Sequence, residues 1–270
     1  MKKIVNWLKT KSNKALTIIL ALLAMLCSSC QTELKLARSF VANNAGTKVA
    51  VYFPDSAVVI TNHVNQQSSV TSDLLDGFDQ NLFLDIMYAA YAKTLTECDL
   101  EVYVPDDANE IRVDSAHWLV LLSRVEIKAD TVEYEDYLFS DLDDYSYKHN
   151  LNRFNVASWF DMNNGEWLPV AFHEHNIIDG FDSKTDYSFW TSKFDYSYTI
   201  DTLTLDDLYN YAVYLGKLYA GYTYDYMMNR YVEAKLSKTG FAKQNVFRYD
   251  PYRNKVFYIY DEDGFVEIGE

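Results

Sequence analysis

Apolar positions along the chain fall into three patterns: one unbroken run, several short stretches of period two, and two long stretches of period near 3.6. The unbroken run is Ala15 to Leu26, apolar apart from Thr17. The short stretches predict strands. Lys48 to Phe53 (KVAVYF) is one, closed by Pro54, and Ala57 to Ile60 is a second. Leu100 to Val104 is closed by Pro105. Trp118 to Ile127 (WLVLLSRVEI) is nearly continuous in apolar character, which places it at the centre of a sheet, and it runs on toward Tyr137. Phe154 to Met162 and Trp167 to Ile178 flank Asn163-Asn164-Gly165, and Asn-Gly supplies the positive φ angles of a hairpin turn. Tyr187 to Ile200 is a further β-prone stretch, and Val246 to Tyr249 and Val256 to Tyr260 are the last short strands.

The two periodic stretches predict helices. Ser72 has the form of an N-cap, with Asp73 and Asp76 in the first turn and Leu75, Phe78, Leu82, Ile86 and Ala90 on one stripe. That helix is expected to reach about Leu95, with Gly77 as its weak point. Thr204-Leu205-Asp206-Asp207 has the capping-box form with Asp in place of Glu, and a long helix is expected from it to about Leu236. Ala212, Gly216 and Ala220 fall four apart, a spacing that lets a helix lie close against a sheet. Gly216 and Gly221 each cost about 1 kcal/mol relative to Ala, which predicts a packing reason for both. Lys238-Thr239-Gly240 stops the helix. The order of elements predicts an α+β fold: a mixed, mostly antiparallel sheet with two main helices packed on one face. The expected organisation is a signal over 1–29, a tether over 30–46 and a single domain over 47–270.

The apolar run is short for a span. Ala15 to Cys27 is 13 residues, roughly 20 Å of helix, against a hydrocarbon core about 30 Å thick. Five lysines and no acid precede it, which together with the small residues after it makes a secretory signal. Ser28-Ser29-Cys30 then resembles the lipobox of bacterial lipoproteins, with Cys27 where that family usually has Leu. The resemblance implies that Cys30 is the lipid-attachment residue and that the protein partners a membrane through its acyl chains, two or more of which hold stably. Gln31-Thr32-Glu33-Leu34-Lys35 has one acid where surface-exported lipoproteins of Bacteroides-like bacteria carry a cluster. By that resemblance the protein is expected at the outer membrane, facing the periplasm rather than the cell surface.

Charge narrows the partners. The chain has 24 basic and 39 acidic residues, net −15; loss of the signal leaves 19 basic residues and a net −20. Nucleic acid needs a basic footprint and is excluded as a partner. Of three cysteines, Cys27 goes with the signal and Cys30 is acylated, so Cys98 stands alone as a small core residue with no disulfide to form. Tyrosine is abundant, 23 in all, and dense between Tyr187 and Tyr260.

Over roughly residues 47 to 236 the order of elements resembles periplasmic α/β lipoprotein domains, including those similar to the TolB N-terminal domain and to auxiliary lipoproteins of envelope transporters. The strand Trp118–Ile127, Trp159 in a hairpin and a Gly- and Tyr-rich helix ending near Arg230-Tyr231 resemble uncharacterised lipoproteins of Bacteroides-like bacteria. The resemblance implies an accessory envelope role and carries no catalytic residue over.

Local chemistry is sparse. His173-Glu174-His175 places two imidazoles on one face of a strand, where they could clasp Zn²⁺; a third ligand would come from His63, His117, His149 or an acid. Two half-exposed strand histidines are the plainer account, and no cofactor is expected. Asp141, Asp143 and Asp144, like Asp261-Glu262-Asp263-Gly264, lack the spacing of a calcium loop and are solvated turns. There is no G-x-S-x-G elbow and no phosphate loop. The expected function is a non-enzymatic accessory or scaffold in an envelope assembly, with a partner surface among the tyrosines of 187–231: Tyr209, Tyr222 and Tyr226. The alternatives are a surface glycan-binding lipoprotein and a metal-dependent hydrolase built around His173 and His175.

Overall fold

The computed structural model describes residues 32–62, 74–105, 117–139, 144–163, 170–188, 190, 193–243 and 245–259. The fold is α+β, and it divides into two compact units. Thr47–Thr96 and Leu100–Ala220 supply the described part of a sheet unit. A helical unit takes the described residues up to Gly46, Glu97–Asp99 and those from Gly221 on. The division falls inside the longest helix, within the stretch expected to be one domain.

In the sheet unit, β1 (Lys48–Tyr52) is followed by a 3₁₀ turn (Asp55–Ala57) and β2 (Val58–Asn62). Next come helix α2 (Gln80–Thr96), β3 (Glu101–Tyr103), and the long strands β4 (His117–Phe139) and β5 (Asp144–Asn163). β6 (Val170–Ile178), β7 (Gly180–Ser188), β8 (Lys193–Asp201) and helix α3 (Leu205–Ser237) complete the order. The main sheet runs β3-β1-β4-β5-β6, with β2 also paired to β4. β1 and β2 lie parallel to β4 one after the other, at Lys48↔His117 to Tyr52↔Leu121 and at Val58↔Val125 to Asn62↔Ala129. Pro54, which lacks an N–H for the ladder, sits at the break between them. β5 is antiparallel to both β4 and β6.

One face of this sheet is closed by helices. Val120, Leu122, Val125 and Ile127 of β4 and Phe154, Val156 and Phe160 of β5 are fully buried. Phe160 stacks on Tyr219 of α3 at 4.4 Å and meets Tyr91 of α2 at 5.6 Å, so both helices lie on the same face. The Tyr219 hydroxyl is 2.7 Å from Ser158 Oγ and donates to Ser158 O at 3.1 Å, so a buried ring carries a satisfied polar end. Each such side chain contributes roughly 1.5–3 kcal/mol of burial.

The buried alternation on β4 changes phase. It runs 118, 120, 122 and then 125, 127, 129. The ladder slips between Leu122 and Arg124, leaving Ser123 as a β-bulge whose hydroxyl is hydrogen-bonded to Asp161 Oδ2.

Helix boundaries follow local chemistry. α2 starts at Gln80, later than Ser72 implied; Ser72 itself lies outside the described residues. Asp79 Oδ1 accepts from the N–H groups of Asn81 and Leu82 and is the working N-cap, while Gly77 at φ +78° breaks the chain before it. α3 starts where expected: Asp207 Oδ2 accepts from Thr204 N and Thr204 Oγ1, both at 2.8 Å. Gly216 does have a packing reason, but against α2 rather than the sheet. A Cβ there would lie 2.3 Å from Met87 O and 2.9 Å from Ala90 Cβ. Gly221 faces open space and has none.

One further element was not anticipated, and another only in part. Residues 32–43, expected as part of a tether, form helix α1 of the helical unit. Gly180 to Asp201 is a hairpin, β7 paired antiparallel with β8; Tyr187 to Ile200 was expected as β-prone, but the rest of β7 and the pairing were not.

The helical unit assembles α1, the part of α3 from Gly221, and the hairpin of β9 (Val246–Asp250) and β10 (Lys255–Ile259). Phe40 of α1 meets Tyr224 at 5.5 Å and Tyr231 at 5.6 Å. The edge of β9 is satisfied by side chains of α3. Asn229 accepts from Phe247 N at 2.9 Å and donates to Phe247 O at 2.7 Å, and Asp225 Oδ1 accepts from Tyr249 N at 2.8 Å. Residues i and i+4 of a helix thus stand in for a neighbouring strand. Burial raises the Asp225 carboxyl to about 8, outweighing the Tyr249 N–H and Arg248, whose Nε lies 3.8 Å away. Cys98 is buried, and burial first, then Asp225, Glu97 and Asp99, raise its thiol to about 11.

Two outcomes are expected. Gly216→Ala forces a methyl onto the Met87 carbonyl, so it should destabilise the fold by about 1–3 kcal/mol in denaturant unfolding, despite Ala's better helix propensity; no loss would show that α2 can move away. The folded chain holds a proton on Asp225 between its ordinary 3.8 and about 8 that the unfolded chain has lost, so stability falls as pH rises through that window. Asp225→Asn should flatten the fall of the unfolding midpoint across it, and an unchanged slope would refute the assignment.

Candidate functional site

β6 is an edge strand of the main sheet, and its two faces carry different groups. Toward the helices it presents His173 and His175, opposite Ser158 and Val156 of β5. Their rings lie 6.4 Å apart and nearly parallel. Each also has a tyrosine neighbour from α3: His175 stacks on Tyr211 at 5.6 Å, and His173 is 6.1 Å from Tyr214. His173 Nε2 and the Tyr211 hydroxyl are enclosed without a hydrogen-bond partner. Burial first, then His175, lowers the His173 pKa; burial first, then Tyr214 and Tyr219, raises that of Tyr211. Both side chains are therefore held neutral. His149 is engaged elsewhere, 2.8 Å from the Tyr196 hydroxyl. His63 lies outside the described residues, and His117 opens β4. Among the described residues no three His, Cys, Asp or Glu side chains are grouped to hold a metal ion.

Among the described residues of the sheet unit, no helix packs on the opposite face of the sheet. Its side chains form rows across β4, β5 and β6. Arg124, Trp159 and Phe172 make the first row, and Glu126, Ala157 and Glu174 the second. Lys128, Asn155 and Asn176 make the third, and Asp130, Arg153 and Ile178 the fourth. Only Ala157 is buried; the others are half-buried or exposed. Trp159 and Phe172 are 5.1 Å apart, and the Arg124 guanidinium lies 5.8 Å from the Trp159 ring. Most of the polar groups are held by neighbours. Arg124 meets Glu126 at 2.6 Å, and Arg153 makes a two-pronged contact with Asp130 at 2.7 and 2.6 Å. Asn155 Nδ2 donates to Glu174 Oε1 at 2.8 Å and to Asn176 Oδ1 at 2.9 Å. The bulge at Ser123 borders this face, and Asp161 Oδ1 beside it is enclosed without a partner.

On the same face, further along β4 and β5, a second layer begins. β4 and β5 continue past their last pairs with β2 and β6, at Ala129 and Arg153, as a two-stranded arm. The β7–β8 hairpin lies over it, and aromatic rings fill the space between. Tyr134 meets Phe181 at 4.9 Å, His149 meets Tyr198 at 4.4 Å, and Tyr147 stacks on Tyr196 at 4.0 Å. The Tyr196 hydroxyl donates to Asp136 at 2.9 Å; burial first, then Asp136, raises its pKa to about 12. Trp190, in the turn between β7 and β8, is 98% exposed, and Tyr137 near the end of β4 is 60% exposed.

The tyrosines singled out in sequence are distributed differently. Tyr209 is half-buried, stacks on Phe78 and accepts from Asp79 N at 2.9 Å, bracing the start of α2. Tyr222 and Tyr226 are half-buried in the helical unit, Tyr222 beneath the Arg248 guanidinium at 6.0 Å. Cys30, Asp141, Asp143 and Asp261-Glu262-Asp263-Gly264 lie outside the described residues. Among the described residues no helix is long and apolar enough to cross a membrane. No protein-family model matches the chain, and no curated protein matches it.

The open face was missed because its members come from three strands. The usable signal was the period-two series Asn155, Ala157, Trp159 beside Phe172, Glu174, Asn176, which becomes one surface only when the register is known.

The placement of His173 has a direct readout. Following the histidine ring protons by NMR through a pH titration, His173 should titrate below 6.5; a midpoint at or above that value would mean the imidazole is not buried against α3.

Proposed function

We propose that this chain is a non-enzymatic, lipid-anchored outer-membrane protein that serves as an accessory subunit of an envelope protein assembly. It docks to its partner through the end of the two-layer arm. The observation that carries this reading is the fully exposed Trp190 on a hairpin braced from beneath by stacked aromatics. A large apolar ring held out in water is a liability for a free surface. Trp and Tyr are also the residues that anchor protein interfaces, because they bury much area at little entropic cost. The anchoring half of the proposal rests on the apolar run and Ser28-Ser29-Cys30.

The test is light cross-linking of cells, solubilisation of the acylated protein in mild detergent and mass spectrometry of what accompanies it. One stoichiometric envelope partner is expected, lost in Trp190→Ser with Tyr137→Ser, while the thermal midpoint is unchanged. Recovery of the protein alone, or a partner indifferent to both substitutions, would overturn the docking assignment. Cys30→Ala should release the protein from membranes, and continued membrane fractionation would remove the anchor.

A further inference from the structure

We propose that the face of the main sheet opposite α2 and α3 is a binding platform for a neutral oligosaccharide, centred on Trp159 and Phe172. Three observations point to that ligand. First, the face pairs an aromatic floor with planar hydrogen-bonding groups at its side. A sugar ring has an apolar C–H face and a rim of hydroxyls, each of which donates and accepts. Trp159 and Phe172 offer the first kind of surface, 5.1 Å apart with their planes inclined at 51°. Glu174 and Asn176, both exposed, offer acceptor and donor groups two residues apart on β6.

Second, most of the polar side chains are already held. Asn155 spends both amide hydrogens on Glu174 and Asn176, and Arg124 is held by Glu126. Little rotamer freedom remains to be lost when a ligand arrives, and that loss is a main cost of binding.

Third, the charge balances. The rows hold Arg124, Lys128 and Arg153 against Glu126, Asp130 and Glu174, in a chain whose net charge is −15. A cationic partner would find better complementarity on the rest of the surface, and an anionic one would be steered away by it. A neutral, polyhydroxylated chain is indifferent to that field and suits this patch. The platform lies on a different part of the sheet unit from the exposed end of the arm, so the proposal does not depend on the docking role given to Trp190.

The experiment is isothermal titration of the full chain in detergent with cellohexaose, xylohexaose, maltohexaose and isomaltohexaose. At least one should bind with a dissociation constant of about 1 mM or tighter. Trp159→Ala should weaken it by about tenfold or more. Because Trp159 is half-buried and its loss could disturb the sheet, Glu174→Gln and Asn176→Ala provide a second measurement at exposed positions. Together they should weaken binding by a similar factor with an unchanged circular dichroism spectrum and unfolding midpoint. Trp190→Ser should bind sugar as the parent does, which separates this surface from the arm. No binding of any of the four overturns the proposal, as does binding that survives the Trp159 and Glu174/Asn176 substitutions. A concentration-dependent dimer abolished by the same substitutions would also overturn it, by assigning the face to a second copy of the chain.

Discussion

The sheet unit turns on one buried carboxylate. Asp179 sits at the corner where the chain leaves β6 and enters β7, and it is 5% exposed. Its Oδ2 accepts from Asn152 N at 2.7 Å, and its Oδ1 accepts from Leu203 N at 2.8 Å. Its own N–H donates to Asn152 O at 3.0 Å. A single side chain therefore ties three places together: β5 at the root of the arm, the β6–β7 corner, and the turn from β8 into α3. Buried backbone donors left unpaired cost roughly 1–3 kcal/mol each, so geometry at this corner is not negotiable. Gly180 follows because a Cβ there would lie 3.0 Å from Asp201 Cβ, across the first pair of the β7–β8 ladder. What the corner decides is where the open platform stops and the aromatic layer starts.

That layer explains the tyrosine content without a large aliphatic core. A two-stranded hairpin on a two-stranded arm makes a thin layer, in which Leu151 is buried at the root, and the isolated hairpins would be marginal in water. Tyrosine tolerates half-burial: its ring packs inward while its hydroxyl reaches the margin. Tyr134, Tyr147 and Tyr198 are each 41–51% exposed and still lie against a ring of the facing layer. In the helical unit the same chemistry works in a thicker setting. Tyr224 is buried with its hydroxyl accepting from Asn44 Nδ2 at 3.1 Å.

How much of this could be read from the sequence depends on how local the cause is. The start of α3 was legible because Thr204 and Asp207 make their bonds to each other. Its end was legible because Gly240 takes the positive φ of 78° that stops a helix. The centre of the sheet was legible in the apolar run of β4. Helix α1 was passed over although Glu33, Ala37, Phe40 and Asn44 fall at helical spacing, because two of the four are polar. Their burial is sustained by distant partners, Asn245 for Glu33 and Cys98 O for Asn44. The start of α2 was misplaced because Ser72 and Asp79 both have cap chemistry, and Gly77 decides between them. The His173/His175 pair was visible as a pattern, but its neighbours Tyr211 and Tyr214 come from α3. The open face showed only as separate period-two series, since which side chains share it is a property of register.

Register in turn rests on one inserted residue. Without Ser123 as an extra residue, strict alternation from Leu122 would turn Arg124, Glu126 and Lys128 toward the helices and expose Val125, Ile127 and Ala129 to water. A slip of one position exchanges the two faces of a strand. The bulge lets the same strand satisfy both faces in turn, and the Ser123–Asp161 bond holds it in place. The apolar residues under α2 and α3 and the polar residues beside Trp159 are thus set by the same event. A sequence change that removed the bulge would cost core burial at the moment it dismantled the platform, so the two cannot be varied independently. That coupling accounts for a charged and aromatic surface lying directly on the back of a mainly apolar core. It also separates this face from an ordinary solvated sheet face, whose side chains can change without reference to the core.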